Sequence, residues 1–148
     1  MIHRFSVRLE LPKPVEEVFD FFGRAENLER ITPPELQFRI VTAGPIVMTP
    51  GTLIDYRLRL FGVPFTWRTE ITNWDPPHQF IDTQLSGPYR QWVHRHRFMP
   101  TARGTEILDD VLYQLPLAPL GDLAYPLVRL QLSRIFGYRT EAVRRLLA

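Results

Sequence analysis

The stretch QWVHRHRF, residues 91–98, decides the fold. Read with a period of two, Trp92, His94, His96 and Phe98 point one way, and Gln91, Val93, Arg95 and Arg97 the other. That alternation is a strand with one face inside and one face in water. Two of the chain's four histidines therefore share an inward face, flanked by aromatic residues. His-x-His on a strand has three readings. It can hold a metal, form a polar patch in a cavity wall, or be a buried hydrogen-bonded pair without chemistry.

Working outward, turn chemistry brackets this strand on both sides. Gly87-Pro88 precedes it, and Pro100 through Gly104 follows. Further separators are Gly44-Pro45, Pro50-Gly51, Gly62-Val63-Pro64 and Asp75-Pro76-Pro77. They divide residues 36–114 into strands predicted near 36–41, 52–60, 65–74, 79–85, 89–98 and 105–114. The connections are short, so neighbours should pair antiparallel as a meander. Upstream, HRFSVRLEL (3–11) alternates as a half-buried strand with His3, Phe5, Val7, Leu9 and Leu11 on one side. Pro12 and Pro14 end it. Val15, Val18, Phe19 and Phe22 then have helical spacing, Gly23 breaks the helix, and a second short helix spans roughly 25–31. Downstream, Asp122 to Leu147 is one long predicted helix, with Asp122 as its cap and Pro126 near its first turn. Its apolar stripe is Val128, Leu132, Ile135, Val143 and Leu146, interrupted by Gly137.

Register extends the reading across the sheet. A turn at 99–104 pairs residues whose numbers sum to about 203, which sets His96 opposite Ile107 and His94 opposite Asp109. The turn at 86–88 places Asp82 opposite Trp92 or His94. Trp67, Thr69, Ile71, Ile54, Tyr56 and Leu58 join the same face. The other face gathers Asp55, Arg57, Arg59, Arg68, Glu70, Arg95, Arg97, Glu106 and Asp110, with Arg97 near Glu106. The two faces sort consistently, which supports the sheet. A seven-stranded sheet has more inner face than one helix covers, so a curled sheet leaves a hollow.

Bulk composition sets limits. The chain has 148 residues, 45% of them hydrophobic and 23% charged, which suits one globular domain over 1–148. It has no cysteine, which excludes disulfides, thiolate metal sites and cysteine nucleophiles. No apolar run approaches the ~20 residues of a membrane span. The alternating N-terminus has no apolar core of a signal peptide, and a cytoplasmic location is expected. Net charge is +2 with a pI near 9.3. Seventeen arginines and one lysine are offset by sixteen acids, so nucleic acid is not an expected partner. Ser86 and Ser133 lie in no nucleophile elbow, and no phosphate loop or dinucleotide fingerprint is present.

The inner face is not uniformly apolar. Tyr56, Thr69, Asp82, Gln84, His94, His96, Asp109 and Tyr113 interrupt Trp67, Ile71, Phe80, Trp92, Phe98, Ile107 and Val111. Buried carboxylates and imidazoles need partners, water or a ligand. An apolar pocket with a few convergent polar groups is the usual form of a small-molecule site.

Three blocks carry a resemblance: LPKPVEEVFDFFGRAENLERITPPEL, WDPPHQFIDTQLSGPYRQWVHRHRF and GTEILDDVLYQLPLAPLGDL. In their order they resemble the SRPBCC (START/Bet v 1-like) superfamily, and more narrowly its bacterial polyketide cyclase/dehydrase-like branch. The resemblance implies an α+β helix-grip fold: a curved seven-stranded antiparallel sheet around a long C-terminal helix, with two short helices after the first strand and a cavity between sheet and helix. It implies hydrophobic ligands such as lipids or polyketides. The expected ligand-binding residues are Tyr56, Trp67, Asp82, Gln84, Trp92, His94, His96, Phe98, Asp109 and Tyr113. The main expectation is binding of a small hydrophobic or aromatic molecule, with no cofactor and no metal assigned. The rival is a cyclase or dehydratase using a His94–Asp109 acid–base pair. A third reading is a partner-binding module whose cavity is incidental. Residues 115–127, LPLAPLGDLAYPL, and the tip FGVPF (61–65) are expected at the pocket entrance, where peripheral membrane contact is conceivable.

Overall fold

The structure is a computed structural model that describes residues 1–117 and 119–148; Ala118, within the predicted entrance segment, lies outside the described residues. Strand β1 is His3–Leu11, and the prolines at 12 and 14 end it. Helix α1, Val15–Phe22, starts directly after Pro14, whose extended backbone turns the chain into it. Glu16 and Glu17 in its first turn favour the positive helix end. A 3-10 helix over Ala25–Arg30 and a single turn at Pro34–Leu36 follow. The remaining strands are β2 Arg39–Ile40, β3 Leu53–Leu60, β4 Val63–Asp75, β5 Gln79–Ser86, β6 Gln91–Thr101 and β7 Gly104–Gln114. Helix α2 is Tyr125–Leu146. The seven strands form one antiparallel sheet in the order β1-β7-β6-β5-β4-β3-β2.

The two faces separate as the alternation requires. Along β6, Trp92, His94, His96 and Phe98 are buried, while Gln91, Val93, Arg95 and Arg97 are half-exposed. Helix α2 lays Val128, Leu132, Phe136, Ala142 and Val143 on the inner face and runs unbroken through Gly137. One core cluster joins Leu9, Leu11, Phe80, Phe98 and Ile107 to Phe19 and Phe22 of α1 and Val143 of α2. A second joins Phe5, Trp92, Val111 and Tyr113 to Val128, Leu132 and Phe136. A cavity lies between these clusters, under the middle of α2.

Four local expectations are corrected. Predicted strand 36–41 shrinks to Arg39–Ile40, because the turn at Pro34–Leu36 takes up Leu36 and leaves Gln37 left-handed. The long helix begins at Tyr125, after a 3-10 turn at Leu120–Ala124. Asp122 does not cap it; the carboxylate bonds His3 Nε2 at 3.0 Å instead. Asp110 keeps its place on the outer face but is only 7% exposed. Arg4 donates two bonds of 2.7 Å to it and Ser6 one of 2.8 Å, so side chains from β1 cover it.

A further correction concerns register. β6 runs to Thr101 and β7 starts at Gly104, leaving only Ala102-Arg103 in the turn. A two-residue turn lengthens both strands and moves the pairing sum from 203 to 205. His96 therefore faces Asp109, His94 faces Val111 and Trp92 faces Tyr113. A shift of two preserves every inward and outward assignment, whereas a shift of one would reverse them all. It also separates Arg97, now opposite Leu108, from Glu106, which lies 3.7 Å from Arg8.

Candidate ligand cavity and its polar end

A cavity of about 150 Å³ sits between sheet and helix. Its apolar wall includes Tyr56, Trp67, Trp92, Ile54, Leu132 and Phe136. Trp67 and Trp92 meet edge to face with centroids 5.3 Å apart. Asp82, His94, His96 and Arg139 form its polar end.

The polar end is built by strand pairing. Asp82 of β5 is directly opposite His94 of β6, and His96 lies two residues further on the same face. The imidazoles of His94 and His96 stack at 3.6 Å, and Phe80 stacks on the other side of His96 at 4.1 Å. Despite the corrected register, His94 does reach Asp109, diagonally: Nε2 lies 2.8 Å from Oδ1. His96 Nε2 lies 2.6 Å from Asp82 Oδ2. The Nδ1 of His96 is 3.3 Å from Asp109 Oδ1 but makes no hydrogen bond. Arg139 places Nη2 3.9 Å from the same Asp109 oxygen.

Charge in this cluster is set by burial against partners. Burial pushes the Asp109 carboxyl upward, but Arg139 and the two imidazoles outweigh it and hold it well below the usual carboxylate range. Asp82 is lowered in the same way, burial being overcome chiefly by the bond from His96. Since Asp109 is ionised, its bond with His94 requires a proton on His94 Nε2. Burial and the neighbouring His96 lower the His94 pKa, so this imidazole is neutral at pH 7 with a bare Nδ1. Burial also pulls His96 down, but Asp109 and Asp82 outweigh it and raise its pKa.

The acid limb of stability follows. For a carboxyl with a depressed native pKa, the stabilisation is complete above the unfolded value of about 4 and is lost as pH falls through the native one. Asp109, Asp82 and Asp110 all belong to this group. Urea midpoints should therefore fall steeply below about pH 4, and Asp109→Asn should show a shallower fall. The same slope in both proteins would contradict this assignment.

The structure brings six of the ten expected residues to the cavity wall: Tyr56, Trp67, Asp82, Trp92, His94 and His96. Asp109 stands behind the histidines. Phe98 packs between Phe19 and Phe22, at 5.1 and 5.7 Å. Tyr113 is fully buried against His3, Tyr89 and Trp92. Gln84 is spent on the neighbouring turn: its Nε2 donates to Tyr89 O at 2.7 Å, and its Oε1 accepts from Tyr89 N at 3.1 Å. Gln84→Ala should cost about 2 kcal/mol in urea unfolding through these lost buried bonds, with ligand affinity unchanged. A loss of affinity with intact stability would return Gln84 to the site.

Sequence reading missed Arg139. It falls three residues after Phe136 and four before Val143, so it occupies the buried stripe of α2. A cation on that stripe was the available signal. Its side chain is 11% exposed and its guanidinium lies over Phe22 and Phe136, at 5.3 and 5.7 Å. Among the described residues, none of 115–127 or of the FGVPF tip lines this cavity. Phe61, Phe65, Leu115, Leu117 and Ala124 line a surface groove that shares Leu60 and Tyr89 with the cavity wall. Leu117, Leu120, Leu123 and Leu127 are exposed beside it. Among the described residues, no helix is long and apolar enough to cross a membrane.

A curved antiparallel sheet gripping a long C-terminal helix over an apolar cavity defines the helix-grip class of α+β proteins. Within that class, the chain belongs to the SRPBCC-type family described as polyketide cyclase / dehydrase and lipid transport, whose model matches residues 11–135. Solved structures share the fold at low identity. The Zhui aromatase/cyclase of Streptomyces sp. R1128 superposes with a TM-score of 0.78 at 15% identity, over 99% of this chain and 94% of that one. A protein of Thermus thermophilus gives 0.73 at 18%, over 98% and 95%. The ginseng major latex-like protein 151 of Panax ginseng gives 0.67 at 11%, over 100% and 99%. No curated protein matches the chain.

Proposed function

We propose that this chain binds a small hydrophobic or aromatic molecule with one polar end. The observation that carries the reading is the cavity itself, apolar along Trp67, Trp92 and Phe136 and closed by Asp82, His94, His96 and Arg139. Indole faces and edges offer stacking to a ring. The charged end offers both donors and acceptors to a carbonyl, hydroxyl or carboxylate. A volume of about 150 Å³ is the size of a site for a single ring. A sterol-sized or polycyclic ligand requires α2 or the neighbouring loops to move outward.

The test is native mass spectrometry of protein purified from its own cells, joined to a thermal-shift panel of single-ring phenols, quinones, polyketides and lipids. A ligand at 100 times its Kd should stabilise by about 2.7 kcal/mol. Single-ring compounds should raise the melting temperature first. If nothing co-purifies and no compound in the panel shifts it, ligand binding is lost as the function.

One observation favours a second reading, an enzyme of cyclase or dehydratase type. A neutral His94, held by Asp109 through Nε2, presents a general base in an apolar site. Deuterium exchange into the acidic C–H of a bound 1,3-dicarbonyl compound measures this directly. It should be fast in the wild type and lost in His94→Ala while affinity is retained. Exchange no faster than in buffer removes the enzymatic reading and leaves binding alone.

A further inference from the structure

We propose that Asp82, His94 and His96 form a binding site for one first-row divalent metal ion, open toward the cavity. Each residue offers one ligand atom, and the three atoms lie within 4.8 Å of one another. They come from paired positions of β5 and β6, so the backbone ladder fixes their separation.

The orientation of the imidazoles carries the inference. Each ring turns one nitrogen to Asp109 and the other to Asp82. Toward Asp109 the distances are 2.8 Å from His94 Nε2 and 3.3 Å from His96 Nδ1. Toward Asp82 they are 4.0 Å from His94 Nδ1 and 2.6 Å from His96 Nε2. An outer carboxylate that takes the far N–H of a histidine, leaving the near nitrogen to coordinate, is the usual support of a metal-bound imidazole. Here Asp109 accepts from His94 Nε2 and stands 3.3 Å from His96 Nδ1, which has no other partner, with Arg139 3.9 Å away to balance its charge.

The donor set selects the ion. Two imidazoles and one carboxylate without a thiolate suit Zn²⁺, Fe²⁺, Co²⁺ or Mn²⁺. Three protein ligands leave further positions free, the pattern of a reactive rather than a closed structural site. All three ligands line the cavity, so an oxygen of a cavity occupant falls within reach of those positions. Ligand atoms on an ion with bonds of about 2.1 Å stand roughly 3–3.5 Å apart. Asp82 must therefore back away from His96 and approach His94. It is the side chain with room to do so, 21% exposed against 5% and 4% for the histidines. The third ligand is thus Asp82, while Asp109 stands on the far side of both rings; His78, exposed in the β4–β5 turn, takes no part. A metal on His94 Nδ1 occupies the nitrogen that the acid–base reading uses, so the two uses exclude each other.

Chelator-treated protein titrated with Zn²⁺ and Co²⁺ by calorimetry tests the site. One ion per chain should bind, and Co²⁺ should develop the visible absorption of imidazole coordination. Asp82→Asn and His96→Gln, with folding checked by circular dichroism, should lose at least ~100-fold in affinity. Asp109→Asn should lose about 10- to 100-fold, as an outer partner does. His78→Ala should match the wild type. No saturable binding, or binding unchanged in Asp82→Asn and His96→Gln, overturns the site. Thermal shifts by phenol on the metal-free protein report ligand binding separately, so the two ideas fail independently.

Discussion

Asp109→Ala is expected to lower the free energy of unfolding by about 3–5 kcal/mol, the usual result of removing one member of a buried charge cluster. The carboxylate is 7% exposed and accepts from His94 Nε2 at 2.8 Å. It also faces His96 and the guanidinium of Arg139. Deletion leaves the Arg139 cation without its nearest carboxylate and the His94 N–H without an acceptor, both in an apolar setting. The melting temperature should fall by on the order of 10 °C. Asp109→Asn retains an acceptor for His94 but not the charge, so it should fall between the two. If Asp109→Ala costs under about 1 kcal/mol, the cluster is hydrated rather than buried, and the polar end of the cavity is open to water.

Gly104→Ala should be comparably severe, about 3–5 kcal/mol in urea unfolding, from backbone strain and overpacking together. Gly104 starts β7 with φ near +149°, a conformation open to glycine. A Cβ there would collide with the carbonyl oxygen of Leu11 and approach Lys13 N at 2.8 Å and Pro12 Cα at 2.9 Å. Those are backbone atoms, so no rotamer change relieves the clash. Next to it, Leu11 pairs with Thr105 and Thr105 Oγ1 donates to Lys13 O at 2.7 Å. The end of β1 can therefore lie against β7 only while position 104 has no side chain. Gly62→Ala is the control: its φ is near +77° but nothing lies within 4 Å of an added Cβ, so only the strain of about 1–2 kcal/mol remains. Equal losses at the two positions would deny the close approach.

Much of the fold is legible because strand faces are local. His94 and His96 point inward because they are two apart in an alternating run, and this holds whatever pairs with them. Separators such as Asp75-Pro76-Pro77 and Gly87-Pro88 define hairpins, and hairpins dictate the order β7-β6-β5-β4-β3. The partner of each histidine is less legible, because it depends on turn length. Moving the β6–β7 turn from six residues to two exchanged Asp109 for Val111 opposite His94. The His94–Asp109 bond survives because a long side chain reaches the diagonal neighbour.

The polar end of the cavity needed contacts that no local pattern contains. Arg139 comes from α2, thirty residues beyond Asp109, and only the docking of that helix brings it there. Gln84 reads as an inward polar residue, yet its amide is consumed by the backbone of Tyr89. Cavity size depends on how deeply Leu132 and Phe136 sink toward Trp92, a sum of packing distances with no sequence period. The sequence by itself determined which side of each strand faces the core, since a pleated backbone alternates by covalent geometry. Only the tertiary structure decided which inward groups meet, because those distances are set by turn length and helix docking between residues far apart in the chain.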